Sequence, residues 1–149
     1  MPPVVTRTAY LEINSVPMAT PAWRILDLSP LYGRRMRGDL VQVPYTAGAI
    51  GYQHRIDYRS VTLPMDVYGR YQSDGSTHGN AYQGLDDNID YLLANVVEPG
   101  AAAVTAVWHR ATADTKTASV FVESFEPTRW GSGFVRFGLE LSIPAGKFA

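Results

Sequence analysis

The strongest constraint on the fold is a strict alternation of apolar and polar side chains in two stretches, 59–68 and 134–143. Successive side chains of a β-strand point to opposite faces, so this period of two predicts strands with one buried face. Pro64 lies inside the first stretch and has no amide hydrogen for a ladder bond. We therefore expect that strand to be bulged or to lie at a sheet edge. Weaker patterns predict further strands at 10–13, 40–43, 103–110 and 119–123.

One amphipathic helix is predicted, over residues 84–97. Asp86 and Asp87 are expected in its first turn, where the helix dipole favours anions, and Glu98-Pro99-Gly100 is expected to end it. Prolines and glycines are dense between residues 17 and 52, which excludes a long helix there. The apolar stripe of the predicted helix consists of Leu85, Ile89, Leu92, Leu93 and Val96.

The order of these elements predicts a mainly β (α+β) fold, an antiparallel β-sandwich or barrel with one packed α-helix. The chain has 149 residues, close to the usual size of one domain, so we expect residues 1–149 to form a single domain. Residues 1–8 contain two prolines and are expected to be an extended N-terminal arm. Two loops are expected, at 70–83 with a turn at Asp74-Gly75, and at 125–133.

The chain carries no recognisable set of catalytic residues. It has no cysteine, which removes thiolate nucleophiles and thiolate metal ligands. Adjacent carboxylates such as Asp86-Asp87 point about 100° apart on a helix, and Gly131-Ser132-Gly133 is typical of a turn. We predict no catalytic residue, no metal site, no cofactor and no enzyme activity. The three histidines, which match no metal motif, are His54, His78 and His109.

Positive charge is carried almost entirely by arginine, since only Lys116 and Lys147 among the 13 Lys and Arg residues are lysines. Arg34, Arg35 and Arg37 form one cluster, a candidate for a subunit interface or the wall of a lumen. Phosphate of a nucleic acid and plain solvent are the alternatives for this cluster. The net charge of −1 argues against specific nucleic acid binding. No apolar run approaches the ~20 residues of a membrane helix, and the first residues have no signal-peptide pattern.

Five stretches carry a resemblance to a known family: Leu11–Trp23, Arg37-Gly38, Arg55–Gly69, Gly84–Leu92 and Leu139–Gly146. Together they resemble small minor tail proteins of long-tailed bacteriophages, especially those that infect actinobacteria. The pattern also resembles the β-sandwich-plus-helix domain of tail tube and distal tail proteins. In that domain an arginine-led strand ending in glycine precedes a loop and then a helix, as 59–69 precedes 85–96 here.

This resemblance implies a structural virion protein of a phage tail, assembled in the host cytoplasm. It implies a ring, commonly hexameric, at or near the distal end of the tail tube, with a lumen that passes DNA. The implied partners are further copies of the chain and neighbouring tail tube and baseplate or tail-tip proteins. The residues alone leave an alternative, a small β-sandwich module that binds a ligand or carbohydrate on exposed Tyr71, Trp108 or Trp130.

Overall fold

The structure is a computed structural model that describes residues 9–37, 40–42, 49–51, 55–112 and 114–149. The predicted arm at 1–8, the end of the predicted strand 40–43 and His54 lie outside the described residues. No helix in the described part of the chain is long and apolar enough to cross a membrane.

Antiparallel β-structure dominates the described residues and is accompanied by one α-helix, which confirms the mainly β (α+β) fold. The helix α1 spans Ala81–Leu92, and short helical turns lie at Ser29–Tyr32, Leu93–Val97 and Pro99–Ala101. The strands are β1 (Tyr10–Ile13), β2 (Val16–Pro17), β3 (Trp23–Ile25), β4 (Met36–Arg37), β5 (Leu40–Gln42), β6 (Ala49–Gly51), β7 (Arg55–Ile56), β8 (Arg59–Tyr68), β9 (Val104–His109), β10 (Thr115–Gly131) and β11 (Phe134–Ile143).

The main sheet has seven strands in the order β2-β1-β9-β10-β11-β8-β3, and β4–β7 and β5–β6 form separate pairs. β10 belongs to both halves of the sheet, because 115–120 pairs with β9 and 121–131 pairs with β11. Register shifts on β10 mark bulges, which bend a strand and increase its twist. A hydrogen bond joins the two ends of the sheet: the amide of Ile25, the last residue of β3, donates to the carbonyl of Met18, the residue after β2 (3.0 Å). The terminal strands β2 and β3 therefore meet, and the sheet is barrel-like.

The core lies on the inner face of this sheet, where the alternation places the apolar side chains. β8 and β11 pair continuously over their whole length, so their buried faces are contiguous. Burial of each such side chain contributes about 1.5–3 kcal/mol, which makes this strand pair the centre of the core. Its buried residues are Val61, Leu63, Met65 and Val67 of β8 and Val135, Phe137, Leu139, Leu141 and Ile143 of β11.

Pro64 causes neither the predicted bulge nor an edge position, since β8 lies between β11 and β3. Its pairing with β11 continues through Pro64 and Gly138. On the other side, β3 ends at Ile25, and the Leu26 amide donates to the Pro64 carbonyl (2.8 Å). The nitrogen of a strand residue faces the same side as its carbonyl. The missing amide hydrogen of Pro64 therefore faces the end of β3 and removes no bond to β11.

The helix begins earlier than predicted, at Ala81 instead of residue 84. The Asn80 side chain accepts hydrogen bonds from the amides of Tyr82 (3.0 Å) and Gln83 (3.4 Å), which is the action of an N-cap residue. The expected position of Asp86 and Asp87 in the first turn is wrong, because that turn contains no acidic residue. The apolar stripe is confirmed in Leu85, Leu92 and Val96, which are buried.

The predicted loop at 125–133 is wrong for most of its length. β10 continues to Gly131, and only Ser132 and Gly133 form the turn into β11. Pro127 suggested a loop, but β11 is the only described strand that pairs with this half of β10. A strand with one open side tolerates a proline. The turn at Gly133 is confirmed, and its φ of 77° suits a residue without a Cβ.

Candidate functional site

The first candidate surface combines three exposed apolar side chains with two arginines. Tyr32, Met36 and Tyr58 are 62%, 53% and 55% exposed, and Arg34 and Arg35 lie between Tyr32 and Met36 in sequence. Tyrosine, methionine and arginine are enriched in protein interfaces. We call these five residues the Arg–Tyr surface.

The arginines of the predicted cluster make separate contacts. Arg34 folds back, and its Nη1 donates to the carbonyls of Leu31 (3.3 Å), Tyr32 (3.2 Å) and Gly33 (2.8 Å). Arg35 lies 3.8 Å from the Asp57 carboxylate, measured from Nε to Oδ2, and its guanidinium lies 5.5 Å from the Tyr58 ring centroid.

Arg37 occupies β4, with Arg55 as its register partner on β7; its side chain lies outside the described atoms. The structure therefore does not gather Arg34 and Arg35 around one anion. A role of the cluster at an interface or lumen stays a prediction.

The second candidate surface is the end of the β10–β11 hairpin. Trp130 is 70% exposed there, and its neighbours from Glu126 to Ser132 are also exposed. A large exposed aromatic side chain is typical of a contact with another protein.

The third candidate is a cleft of about 780 Å³ at the end of β8, which we call the cleft. Four segments converge on it: the β2–β3 turn, the residues after β8, the start of α1 and the β10–β11 turn. Its lining residues are Thr20, Pro21, Arg24, Tyr68, Arg70, Tyr71, His78, Gly79, Ala81, Ser132 and Gly133.

Both arginines of the cleft lie against tyrosine rings. The Arg24 guanidinium carbon is 5.8 Å from the centroid of Tyr68, and that of Arg70 is 5.5 Å from the centroid of Tyr71. A cation over an aromatic face is attracted by the quadrupole of the ring. The two arginines are exposed, and each is held beside a tyrosine ring.

Asp66 is the acidic residue nearest to this end of the sheet in the β3–β8–β11 register, and it is already paired. It is buried and accepts from Arg136 Nε (2.8 Å to Oδ1) and Nη2 (3.2 Å to Oδ2). The Tyr68 hydroxyl also donates to Oδ2 (3.3 Å). The hydrogen bond to Asp66 raises the pKa of Arg136 above its ordinary value. This bidentate pair neutralises the Asp66 charge.

Asn88 connects α1 to the residues that line the cleft. It is buried, and its Nδ2 donates to the carbonyls of Tyr68 (2.6 Å) and Tyr71 (3.0 Å). Its Oδ1 lies 3.5 Å from His78 Nε2. Because both amide hydrogens have acceptors, this one side chain holds the start of the 70–79 loop against the helix.

The loop at 70–79 is closed by local hydrogen bonds, and the predicted turn at Asp74-Gly75 is confirmed. Asp74 Oδ1 accepts from the Ser76 hydroxyl (2.6 Å) and the Ser76 amide (2.9 Å). These two bonds lower the pKa of Asp74 below 3.8, because they favour the ionised form. The stabilisation that these bonds give is fully present above the ordinary aspartate pKa of 3.8. It is lost as the pH falls through the lowered pKa of Asp74.

We expect the Asp74 carboxyl ¹³C shift to titrate with a midpoint below 3.8. In Ser76→Ala the hydroxyl donor is absent, so the midpoint should rise towards the ordinary aspartate value. Asp27 provides the internal control, because the Ser29 amide and hydroxyl lower its pKa in the same way, and its midpoint should not change between the two proteins. Equal Asp74 midpoints in both proteins would contradict the assigned hydrogen bond.

The remaining residues singled out from the sequence are Trp108 and the histidines. Trp108 is only 2% exposed and cannot form an exposed platform, because it packs in the barrel against Phe148. His109 stacks on Tyr10, and His78 lines the cleft. The described residues contain no group of three or more His, Cys, Asp or Glu that could hold a metal ion.

Sequence reasoning missed the cleft. The adjacent pair Arg70-Tyr71 was its one local signal, since an arginine beside a tyrosine can stack on it. Arg24 lies far away in sequence, and its approach to Tyr68 follows from the pairing of β3 with β8.

Comparisons with known proteins bear on the fold. No protein-family model matches this chain, and no curated protein sequence matches it. The crystal structure of the Dit protein of phage SPP1, described as a paradigm of the hub adsorption apparatus in phages that infect Gram-positive bacteria, covers 94% of this chain with a TM-score of 0.58 and 12% identity. A chain of the phage p2 baseplate in its activated conformation covers 92% with the same TM-score and identity, with strontium and with calcium.

This chain shares their fold. It spans 51% of the SPP1 Dit chain and 44% of the p2 chain, so about half of each of those proteins has no counterpart here.

Proposed function

We propose that this protein is a structural, non-enzymatic component of a phage tail that acts by self-assembly. In this proposal residues 1–149 form one domain, and six copies form a ring at or near the distal end of the tail tube. The observation that carries the proposal is the shared fold, which extends over 94% of the chain for SPP1 Dit and 92% for the p2 baseplate chain. Neighbouring tail tube and baseplate proteins are the proposed partners, and the proposed lumen passes DNA.

The positions of two exposed surfaces support a ring. A closed ring needs two different contact patches on each subunit, because every subunit is joined head to tail to the next. Tyr58, in the Arg–Tyr surface, immediately precedes β8. Trp130 pairs with Val135 on β11, and Val135 pairs with Val67 near the other end of β8. A ten-residue strand separates these ends by ~30 Å.

Each surface has a role in this assembly. The Arg–Tyr surface of one copy contacts the hairpin end of the next, with Arg35 and Tyr58 as a stacked pair inside the contact. Arg34 supports this surface by bonding the carbonyls of its own turn, and Arg37 lies at its border on β4. The cluster therefore faces protein in this proposal, and DNA contact is not needed to explain it.

The wild-type protein is expected to form rings in solution, measured by light scattering after size exclusion and by negative-stain imaging. Met36→Glu and Trp130→Glu should each abolish rings, because each places a charge in one of the two contacts. Both side chains are more than half exposed, so the folded monomer should keep its melting temperature. Tyr82→Glu is the matched control, since Tyr82 is 76% exposed and lies on neither surface.

Mixing the two ring-deficient variants tests the head-to-tail arrangement. Each variant keeps the surface that the other has lost, so an equimolar mixture should give a one-to-one dimer joined by the remaining intact contact. Variants that stay monomeric at 16.4 kDa after mixing would contradict this pairing of surfaces. A wild-type protein that is monomeric at high concentration would contradict the proposed assembly itself.

A second candidate function is a small ligand-binding module, and the cleft favours it. The aromatic platform expected from the sequence does not exist as a unit, because Trp108 is buried while Tyr71 lines the cleft and Trp130 is exposed on the hairpin. A monomeric wild-type protein that binds a small ligand in the cleft would support this second function over the first.

A further inference from the structure

We propose that the cleft binds an extended, carboxylate-bearing segment of a partner protein. The proposal rests on the proposed function in one respect, namely that a tail component has protein neighbours. The remaining arguments use the charge of the cleft, the tyrosine rings that hold its arginines and the small residues in its walls.

The cleft is positively charged and has no acidic lining residue. Arg24, Arg70 and His78 contribute nitrogen-bearing side chains, and no aspartate or glutamate lines it. Within the described part of the chain, neither Arg24 nor Arg70 has an acidic side chain within 4.0 Å. Asp66 lies in register with Arg24, but its carboxylate is occupied by Arg136. Two guanidinium groups are therefore left to meet an anion from outside.

Support by tyrosine rings makes these guanidinium groups better binding groups than free surface arginines. Both lie within 6 Å of a ring centroid, so less side-chain entropy is lost when a ligand fixes them. The planar fork of arginine matches a carboxylate with two parallel hydrogen bonds. Two such groups favour a segment with more than one acidic side chain.

The walls of the cleft leave room for a main chain. Gly79, Ala81 and Gly133 line it and present almost no side-chain bulk, which permits close approach of another backbone. Pro21 adds an apolar wall for aliphatic parts of a ligand. The start of α1 does not supply the anion site, because Asn80 already accepts from the amides of Tyr82 and Gln83.

The small number of cations favours an acidic peptide over a nucleic acid. Nucleic acid affinity grows with the number of phosphates neutralised, and only two arginines line this cleft. The net charge of −1 supplies no wider attractive field.

The test is binding of fluorescein-labelled hexaglutamate, followed by fluorescence anisotropy, with hexaglutamine as the neutral peptide and a six-nucleotide thymidine strand as the nucleic acid. We expect hexaglutamate to bind and the other two not to compete with it. The double variant Arg24→Gln with Arg70→Gln should lower the affinity by about tenfold or more. Lys116→Gln changes a cation elsewhere on β10, and its affinity should stay within about twofold of wild type.

Three outcomes would overturn the proposal: equal affinity in the double variant and wild type, equal binding of hexaglutamine, or tighter binding of the thymidine strand. Carrying out the same titration on Met36→Glu separates this proposal from ring assembly. Hexaglutamate binding to that variant supports peptide binding in the cleft even where no ring forms. Rings in the absence of hexaglutamate binding would leave the assembly proposal standing and refute this one.

Discussion

Asn88→Asp is expected to lower the free energy of unfolding by about 3 kcal/mol, because it places a carboxylate in a buried position against two carbonyl oxygens that lose their donor. The Asn88 amide donates to the carbonyls of Tyr68 and Tyr71, and an ionised carboxyl has no hydrogen to donate to either. For a chain of this length the melting temperature should fall by about 6–12 °C. Urea denaturation followed by far-ultraviolet circular dichroism measures the change.

The pH dependence of this variant provides an internal check. Burial beside two carbonyl oxygens raises the pKa of the introduced carboxyl above its unfolded value. The destabilisation is therefore largest at neutral pH and shrinks as the pH falls through that raised pKa. Asn95→Asp is the control, since the Asn95 amide donates to the Tyr91 carbonyl (2.8 Å) at an exposed site. We expect a loss below about 1 kcal/mol there. Equal losses at both positions would mean that Asn88 does not hold the helix to the loop.

Gly69→Ala is expected to cost about 3 kcal/mol for a steric reason. A Cβ at this position would overlap the Ala81 carbonyl oxygen and come within 2.9 Å of Leu85 Cβ, so the start of α1 would have to move. Gly84→Ala should also destabilise the protein, because its Cβ would overlap the Gly69 carbonyl oxygen. That loss would occur although alanine favours a helix over glycine by about 1 kcal/mol.

Gly79→Ala is the matched control, at a position between Gly69 and Gly84 in sequence, because a Cβ there meets nothing within 4 Å. Its stability should stay within about 0.5 kcal/mol of wild type or rise slightly, since alanine restricts the unfolded chain. The midpoint of urea denaturation compares the three variants. If Gly69→Ala were as stable as Gly79→Ala, the close packing of α1 on the end of β8 would be contradicted.

The sequence alone predicted the elements whose burial follows from a simple period. Residues 59–68 and 134–143 alternate strictly, and both are strands whose apolar faces are buried. The predicted apolar stripe recurs at helical spacing, and its members Leu85 and Leu92 on α1 and Val96 on the following helical turn are buried. These predictions succeeded because the period of an amphipathic element is set by its own backbone geometry.

Predictions failed where a neighbouring strand decides the outcome. Pro127 suggested a loop, yet β10 continues past it, because among the described strands only β11 pairs with this half of β10. Pro64 suggested an edge or a bulge, yet its nitrogen faces the end of β3. The alternation around Trp108 predicted a strand correctly, but which face of that strand meets the core depends on the sheet, and Trp108 is inside it.

The mainly β character and the amphipathic character of α1 were determined by the sequence itself, since each depends on the period of residues close together in the chain. The cleft was decided only by the tertiary structure. Arg24 reaches Tyr68 because β3 pairs with β8, and Asn88 holds the Arg70-Tyr71 loop against α1. Contacts between residues so far apart depend on strand order and register, which a period of two or 3.6 residues does not encode.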